Sequence, residues 1–207
     1  HVAENIVGPT PGGLAISTTL SCVFFGAISG SGPATTAAVG MLMIPAMAKR
    51  GYNVGYAAAA TATAGGIGII IPPSIPMVIY GVSGQQSISK MFMAGIIPGI
   101  LIAVGLSVMH FFLCRNLKTE GLDWSLKTFI HSLRDGFWSI LAPVIILGGI
   151  YWGVFTPTEA AEVGVLWTLF VGLFVYRKLT WKNISSALIR TSAFAGSATI
   201  LVGVSMA

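Results

Sequence analysis

The chain has 207 residues, of which 11 are Lys or Arg and 6 are Asp or Glu, giving a formal net charge of +5. Charged residues make up only 8% and hydrophobic residues 55%, with a mean hydropathy of +0.86, whereas soluble domains carry about 25% charged residues. This composition excludes an ordinary soluble domain with several buried helices, because the polar residues to cover its surface are missing, and it points to an all-α polytopic membrane protein.

No signal peptide is visible. The chain starts at His1 and ends inside the apolar segment "GSATILVGVSMA", so it is expected to be an internal piece of a longer chain. The first uncharged run, Asn5–Ala48, has a Gly- and Ser-rich centre at Ser29–Thr36. Its arms, Gly13–Ile28 and Ala34–Ala48, make helices of about 24 Å or less, short of the roughly 30 Å hydrocarbon core. Two full crossings would put "SGSGPATT" in an outer loop, and a re-entrant hairpin would put it near the midplane. The short arms favour the hairpin, as do the small residues of Ala34–Gly40, which allow close helix packing. A polar tip at membrane depth survives only where protein or a water-filled cavity satisfies it, so the tip is a candidate site.

The second uncharged run, Gly51–Ser89, contains "AGGIGIIIPPSIP" at Ala64–Pro76. Pro72, Pro73 and Pro76 lack N–H groups, so the carbonyls of Gly68, Ile69 and Pro72 lose their i+4 donors. Ile71 precedes a proline and is pushed away from helical geometry. A broken transmembrane helix is expected here. Its bare carbonyl oxygens suit a hard cation such as Na+, and half-helix N-termini in secondary transporters face anionic substrates. An isolated Pro or Gly kink usually serves packing. Here three prolines and a Gly-Gly-x-Gly fall together beside a second polar break, which favours a site.

Met91–Cys114 reads as the next crossing. In "LDWSLKTFIHSLRDGF" (Leu122–Phe137), Leu122, Leu126, Phe129, Ile130 and Leu133 fall at helical spacing, with Lys127 and Arg134 elsewhere on the wheel. That is an amphipathic helix on the cytoplasmic surface, either plain or connecting two halves of the protein. Gly136–Phe155 and Pro157–Tyr176 are further crossings, and "LTWKNISSALIRTS" (Leu179–Ser192) reads as a second amphipathic helix. In "FTPTEAAEV", Thr156 is placed to cap a helix, Pro157 to begin it and Glu159 to complete a capping box. With these crossings every basic residue except Lys90 falls on one side. That side is cytoplasmic by the positive-inside rule, and Gly84–Lys90 faces outward. The charge is an orientation signal and implies no nucleic-acid partner. Cys22 and Cys114 lie in separate membrane segments and read as packing residues. His110 and His131 are expected at the interface, without chemistry.

Three stretches in order, "GAISGSGPATTAAVGMLMIPAMAKRGY", "IIIPPSIPMVIYGV" and "GIYWGVFTPTEAAEVGVLW", resemble the large membrane subunit of the tripartite ATP-independent periplasmic (TRAP) transporters. The resemblance runs through roughly Pro11–Arg190. It implies a sodium-coupled, elevator-type secondary transporter with two inverted repeats, each holding a helical hairpin and a broken helix. This chain would be a central fragment of a subunit about twice as long. Implied partners are a small membrane subunit and a periplasmic substrate-binding protein that delivers an organic acid, typically a sialic acid or C4-dicarboxylate, at the bacterial inner membrane. The resemblance implies a sodium site formed by Ser29, Ser31, Gly68, Ile71 and Pro73, mostly through backbone carbonyls. Ile69 and Pro72 stay as further possibilities. Substrate contacts are expected at Gly30, Gly32, Thr35 and Ser74, through N–H groups and hydroxyls, since no Lys or Arg falls there. A second sodium site would use a second hairpin that this fragment lacks. Glu159 could alternatively touch the binding protein.

The expected organisation is a hairpin region at 1–50, a broken helix at 51–83, a transmembrane helix with its cytoplasmic end at 84–121, a connector at 122–135, and the start of a second repeat at 136–207. Two rivals remain. "GAISGSG" superficially resembles the serine loop of intramembrane proteases, with His110 imagined as base. Its spacing is one residue too long, and His110 lies away from the expected depth of Ser29. An ion channel would need a continuous polar stripe, and polar residues occur only at the two breaks.

Overall fold

A computed structural model describes residues 7, 10–115 and 126–205. Helix α1, Gly13–Ser29, ends at Gly30, whose φ of 62° puts it in the left-handed region and whose N–H caps Gly26 O. Glycine adopts this conformation without a Cβ penalty. Ser31 is extended, its hydroxyl accepts from Ala34 N, and α2, Gly32–Lys49, begins at once with Pro33 in its first turn. The two-residue link makes α1 and α2 a hairpin. Asn53 then caps α3, Val54–Gly65, by accepting from Gly55 N and Tyr56 N.

The expected break follows. A 3-10 turn at Gly66–Ile69 leads into irregular backbone containing Pro72 and Pro73, joined by a cis peptide bond. Helix α4 resumes at Ile75–Ser83 with Pro76 in its first turn. Helix α5, Ile88–Cys114, is capped by the Ser87 hydroxyl. Helix α6 runs Leu126–Tyr151 without interruption. The expected connector, from residue 126 onward, is thus continuous with the crossing after it; residues 122–125 lie outside those described. Helix α7, Pro157–Phe170, begins with the expected capping box between Thr156 and Glu159 and ends in a π-turn at Val171–Val175. Helix α8, Trp181–Ser205, extends the expected amphipathic segment into the apolar one after it. Ile88–Cys114 and Pro157–Val175 are each long and apolar enough to cross a membrane.

Helix α3 packs against both arms of the hairpin. The shared core joins Leu14, Ala15 and Cys22 of α1, Val39, Met43 and Met47 of α2, Ala57 and Ala64 of α3, and Cys114 of α5. Small residues permit this approach: a Cβ on Gly26 would lie 2.7 Å from Gly68 Cα. A second cluster, Ile67, Ile71 and Ala103, seats the break on α5. A third joins Phe92 of α5 to Ile150 and Ala160, docking the α6–α7 pair on the first turns of α5, with Met77 from the first turn of α4 packed against it. By contrast Met93, Ile97, Leu101, Val104 and Val108 of α5 are exposed, as a face toward lipid requires.

Cys22 and Cys114 are free and buried, as packing residues. His110, expected at the interface, is fully buried within the protein. Its Nδ1 lies 2.7 Å from the Tyr56 hydroxyl, which accepts from Cys114 Sγ at 3.2 Å. The N-terminal end of α1 covers it, since a Cβ on Gly12 would lie 2.7 Å from His110 O. The His131 side chain lies outside those described.

Candidate functional site

The hairpin tip and the helix break meet. A Cβ on Gly30 would come 2.7 Å from Pro73 O, and one on Gly68 would come 2.6 Å from Thr35 Oγ1 and 3.2 Å from Ser31 O. Ile75 N donates to Gly30 O at 3.1 Å. Gly32 faces Ile69 Cγ2 and Gly65 O. Ser29, Gly30, Ser31, Gly32, Thr35, Gly68, Pro73 and Ser74 therefore lie around one junction. Ile71 enters differently, with its side chain against Gly99 of α5 and its N–H donated to Ile67 O at 3.0 Å.

Oxygen atoms dominate the junction. Thr35 Oγ1 donates to Ser31 O at 2.7 Å and lies 3.0 Å from Ser29 Oγ. Ser31 N donates to Ser29 Oγ at 3.3 Å. A hydroxyl has one proton. With the Thr35 proton on Ser31 O, Ser29 donates to Thr35, and a lone pair on Ser29 Oγ stays open to a cation. Ser31 O also accepts from Thr35 N at 3.0 Å, so it opens to a cation only when the Thr35 hydroxyl turns away. Thr35, expected among the substrate contacts, is fully buried, and its hydroxyl links the two serines. The donor set is neutral hydroxyl and carbonyl oxygen, which suits a hard, monovalent cation better than a soft metal.

Two expectations change at the break. The Ile69 carbonyl is not bare: the Ser74 hydroxyl donates to it at 2.6 Å. Pro73 removes the N–H that would have served that carbonyl, and Ser74 replaces it, so Ile69 leaves the set of open oxygens. Ser74 for this reason makes no side-chain cap for α4. The α4 N-terminus is also largely occupied, since Ile75 N serves Gly30 O and Pro76 has no N–H. Gly68 O keeps the position the prolines imply, because residue 72 offers no donor.

Sequence reasoning missed the glycines that let the two breaks meet. Gly26 rests on Gly68, and a side chain on Gly65 would collide with Thr36. The signal available was their spacing, with Gly26 one turn before Gly30 and Gly65 one turn before Gly68.

The whole chain, residues 1–207, matches the family described as Tripartite ATP-independent periplasmic transporter, DctM component. It is 46% identical to the isethionate TRAP transporter permease protein DctMQ of Oleidesulfovibrio alaskensis, over 100% of this chain and 33% of that protein. It is 46% identical to the C4-dicarboxylate TRAP transporter large permease protein DctM of Pseudomonas aeruginosa, over 86% of this chain and 42% of that protein. With the sialic acid TRAP transporter large permease protein SiaM of Vibrio cholerae it shares 41% identity, over 87% of this chain and 42% of that protein. The chain thus spans less than half the length of each of these relatives. All three are transporter permeases by name, which sets aside the protease reading of Ser29 and His110.

Proposed function

We infer the function from family membership: this chain belongs to the DctM component of the tripartite ATP-independent periplasmic transporters. The activity we assign is sodium-coupled uptake of a small organic acid, of the sialic acid or C4-dicarboxylate class, across the bacterial inner membrane. A periplasmic substrate-binding protein delivers the acid, and a small membrane subunit accompanies the large one. The observation that carries the sodium assignment is the meeting of two backbone breaks in one cluster of neutral oxygens. Ser29 Oγ, Ser31 O and the carbonyls of Gly68, Ile71 and Pro73 are the proposed ligands. Ile71, as the residue between Gly68 and Pro73, would hold the break in place through its contact with Gly99. Thr35 would orient the serines.

A bound cation would tie the hairpin to the broken helix. The common core of α1, α2 and α3 makes these elements one body, and in an elevator mechanism that body would move past a fixed scaffold. The hairpin would be re-entrant, with its tip near the midplane. The substrate acid would bind beside the cation at Gly30, Gly32, Thr35 and Ser74. The three relatives described above carry isethionate, C4-dicarboxylates and sialic acid by name, all organic anions, so substrate choice within this family lies in site details.

The full-length protein, reconstituted and tested by counterflow with a panel of radiolabelled organic acids, should show saturable uptake of one class that needs sodium. Non-saturating flux indifferent to sodium would favour a channel and sink the assignment. Orientation is tested separately. Single cysteines at Gln86 and Asn183, in a cysteine-free background, should label from opposite faces, Gln86 from outside. Labelling of both from one face would overturn the charge-based topology.

A further inference from the structure

Arg177, Lys178, Lys182 and Arg190 gather where α7 gives way to α8, and the chain has no Asp or Glu after Glu162. The junction has a fixed shape. Gly172 O accepts from Lys178 N at 3.2 Å and from Leu179 N at 3.3 Å, and Arg177 takes a φ of 51°. Helix α8 then opens with Trp181, which is 83% exposed. Trp181, Lys182, Ser185, Ser186, Ile189 and Arg190 line an open groove of about 500 Å³ along one face of this helix. Ile184, Ala187 and Leu188 lie on the opposite arc, at 100° per residue.

Arg190 stands at the start of the uncharged stretch Thr191–Ala207. A guanidinium at such a boundary extends toward the headgroup layer, where phosphate is the nearest anion. Neither it nor Lys182 has an acidic partner among the described residues. Lys182 lies about 12 Å along the helix from Arg190, so the two cations bracket the depth of a headgroup layer. Tryptophan concentrates at the same depth. Guanidinium pairs with phosphate through two parallel hydrogen bonds, and Ser186, one turn before Arg190, adds a hydroxyl donor on the same face.

We propose that this face of α8 binds the headgroup of an anionic phospholipid in the cytoplasmic leaflet. Arg190 and Ser186 hold the phosphodiester, Ile189 lies against the glycerol and first methylenes, and Lys182 adds charge on the water side, flanked by Trp181 at the outer edge of the headgroup layer. Occupancy would fix the angle at which α8 leaves the membrane surface.

Native mass spectrometry of the full-length transporter released from mixed phosphatidylcholine and phosphatidylglycerol nanodiscs tests this. Wild-type protein should retain phosphatidylglycerol in preference to phosphatidylcholine. The Lys182→Gln/Arg190→Gln variant should lose that preference by roughly tenfold or more. Lys90→Gln, at the opposite face, should not. Equal retention of the two lipids by wild type, or unchanged retention by the double variant, overturns the proposal. In a second measurement, an environment-sensitive fluorophore on Ser185→Cys should shift when phosphatidylglycerol replaces phosphatidylcholine. A label that is shielded and indifferent to lipid would show that protein covers the groove, and would also overturn it.

Discussion

Replacing Pro72 and Pro73 together with alanine should leave a folded transporter whose sodium half-saturation is raised at least tenfold, as a rough figure set by two hydrogen bonds of about 1 kcal/mol each. Each substitution restores an N–H donor. The new N–H at position 72 can then reach Gly68 O, closing a turn that the native sequence leaves open. The one at position 73 competes with Ser74 for Ile69 O, which Ser74 now holds at 2.6 Å, and a helix continued through that position carries its carbonyl away from Gly30. The helix becomes locally more regular while the oxygen cluster is dismantled. Insertion should survive, because intrahelical bonds satisfy the backbone in lipid. Uptake assayed over a sodium series, on the same preparation used to measure folding, separates the effects. A folded double variant with unchanged sodium dependence would leave the prolines as packing kinks.

Gly68→Ala should be nearly as damaging, for a different reason. Its Cβ would meet Thr35 Oγ1 at 2.6 Å and Ser31 O at 3.2 Å, with Gly26 backbone on its other side. Overpacking of this kind costs about 1–3 kcal/mol, and here the strain falls on the atoms proposed to hold sodium. Sodium affinity should drop roughly tenfold to a hundredfold, with a smaller loss of thermal stability. Gly66→Ala is the control, because nothing lies within 4 Å of its Cβ. It should transport normally. If Gly66→Ala and Gly68→Ala behave alike, the contact between tip and break has no part in transport.

Local rules carried much of this fold. The capping box at Thr156 and Glu159 needs only residues three apart, and it formed as the sequence implies. The break at Pro72 and Pro73 follows from missing N–H groups, a property no neighbour can restore in place. The hairpin turn at Gly30 and Ser31 likewise rests on one left-handed glycine. What stayed illegible depends on partners far away in the chain. The burial of His110 comes from Tyr56, 54 residues distant, and from α1 lying over the end of α5. The role of Thr35 as the link between Ser29 and Ser31 requires the folded turn. The satisfaction of Ile69 O by Ser74 requires the geometry that the prolines create, which removal of donors alone does not specify. The continuity of α6 through residue 136 was hidden because charge patterning marks a change of environment, which a straight helix can cross.

The most direct test of the central claim is sodium binding itself, measured by calorimetric titration of the purified full-length transporter without substrate. The wild-type protein should bind sodium saturably, and the Pro72→Ala/Pro73→Ala variant, folded to the same extent, should bind it at least about tenfold more weakly. Equal sodium affinity in the two proteins would contradict a site built where the hairpin tip meets the broken helix.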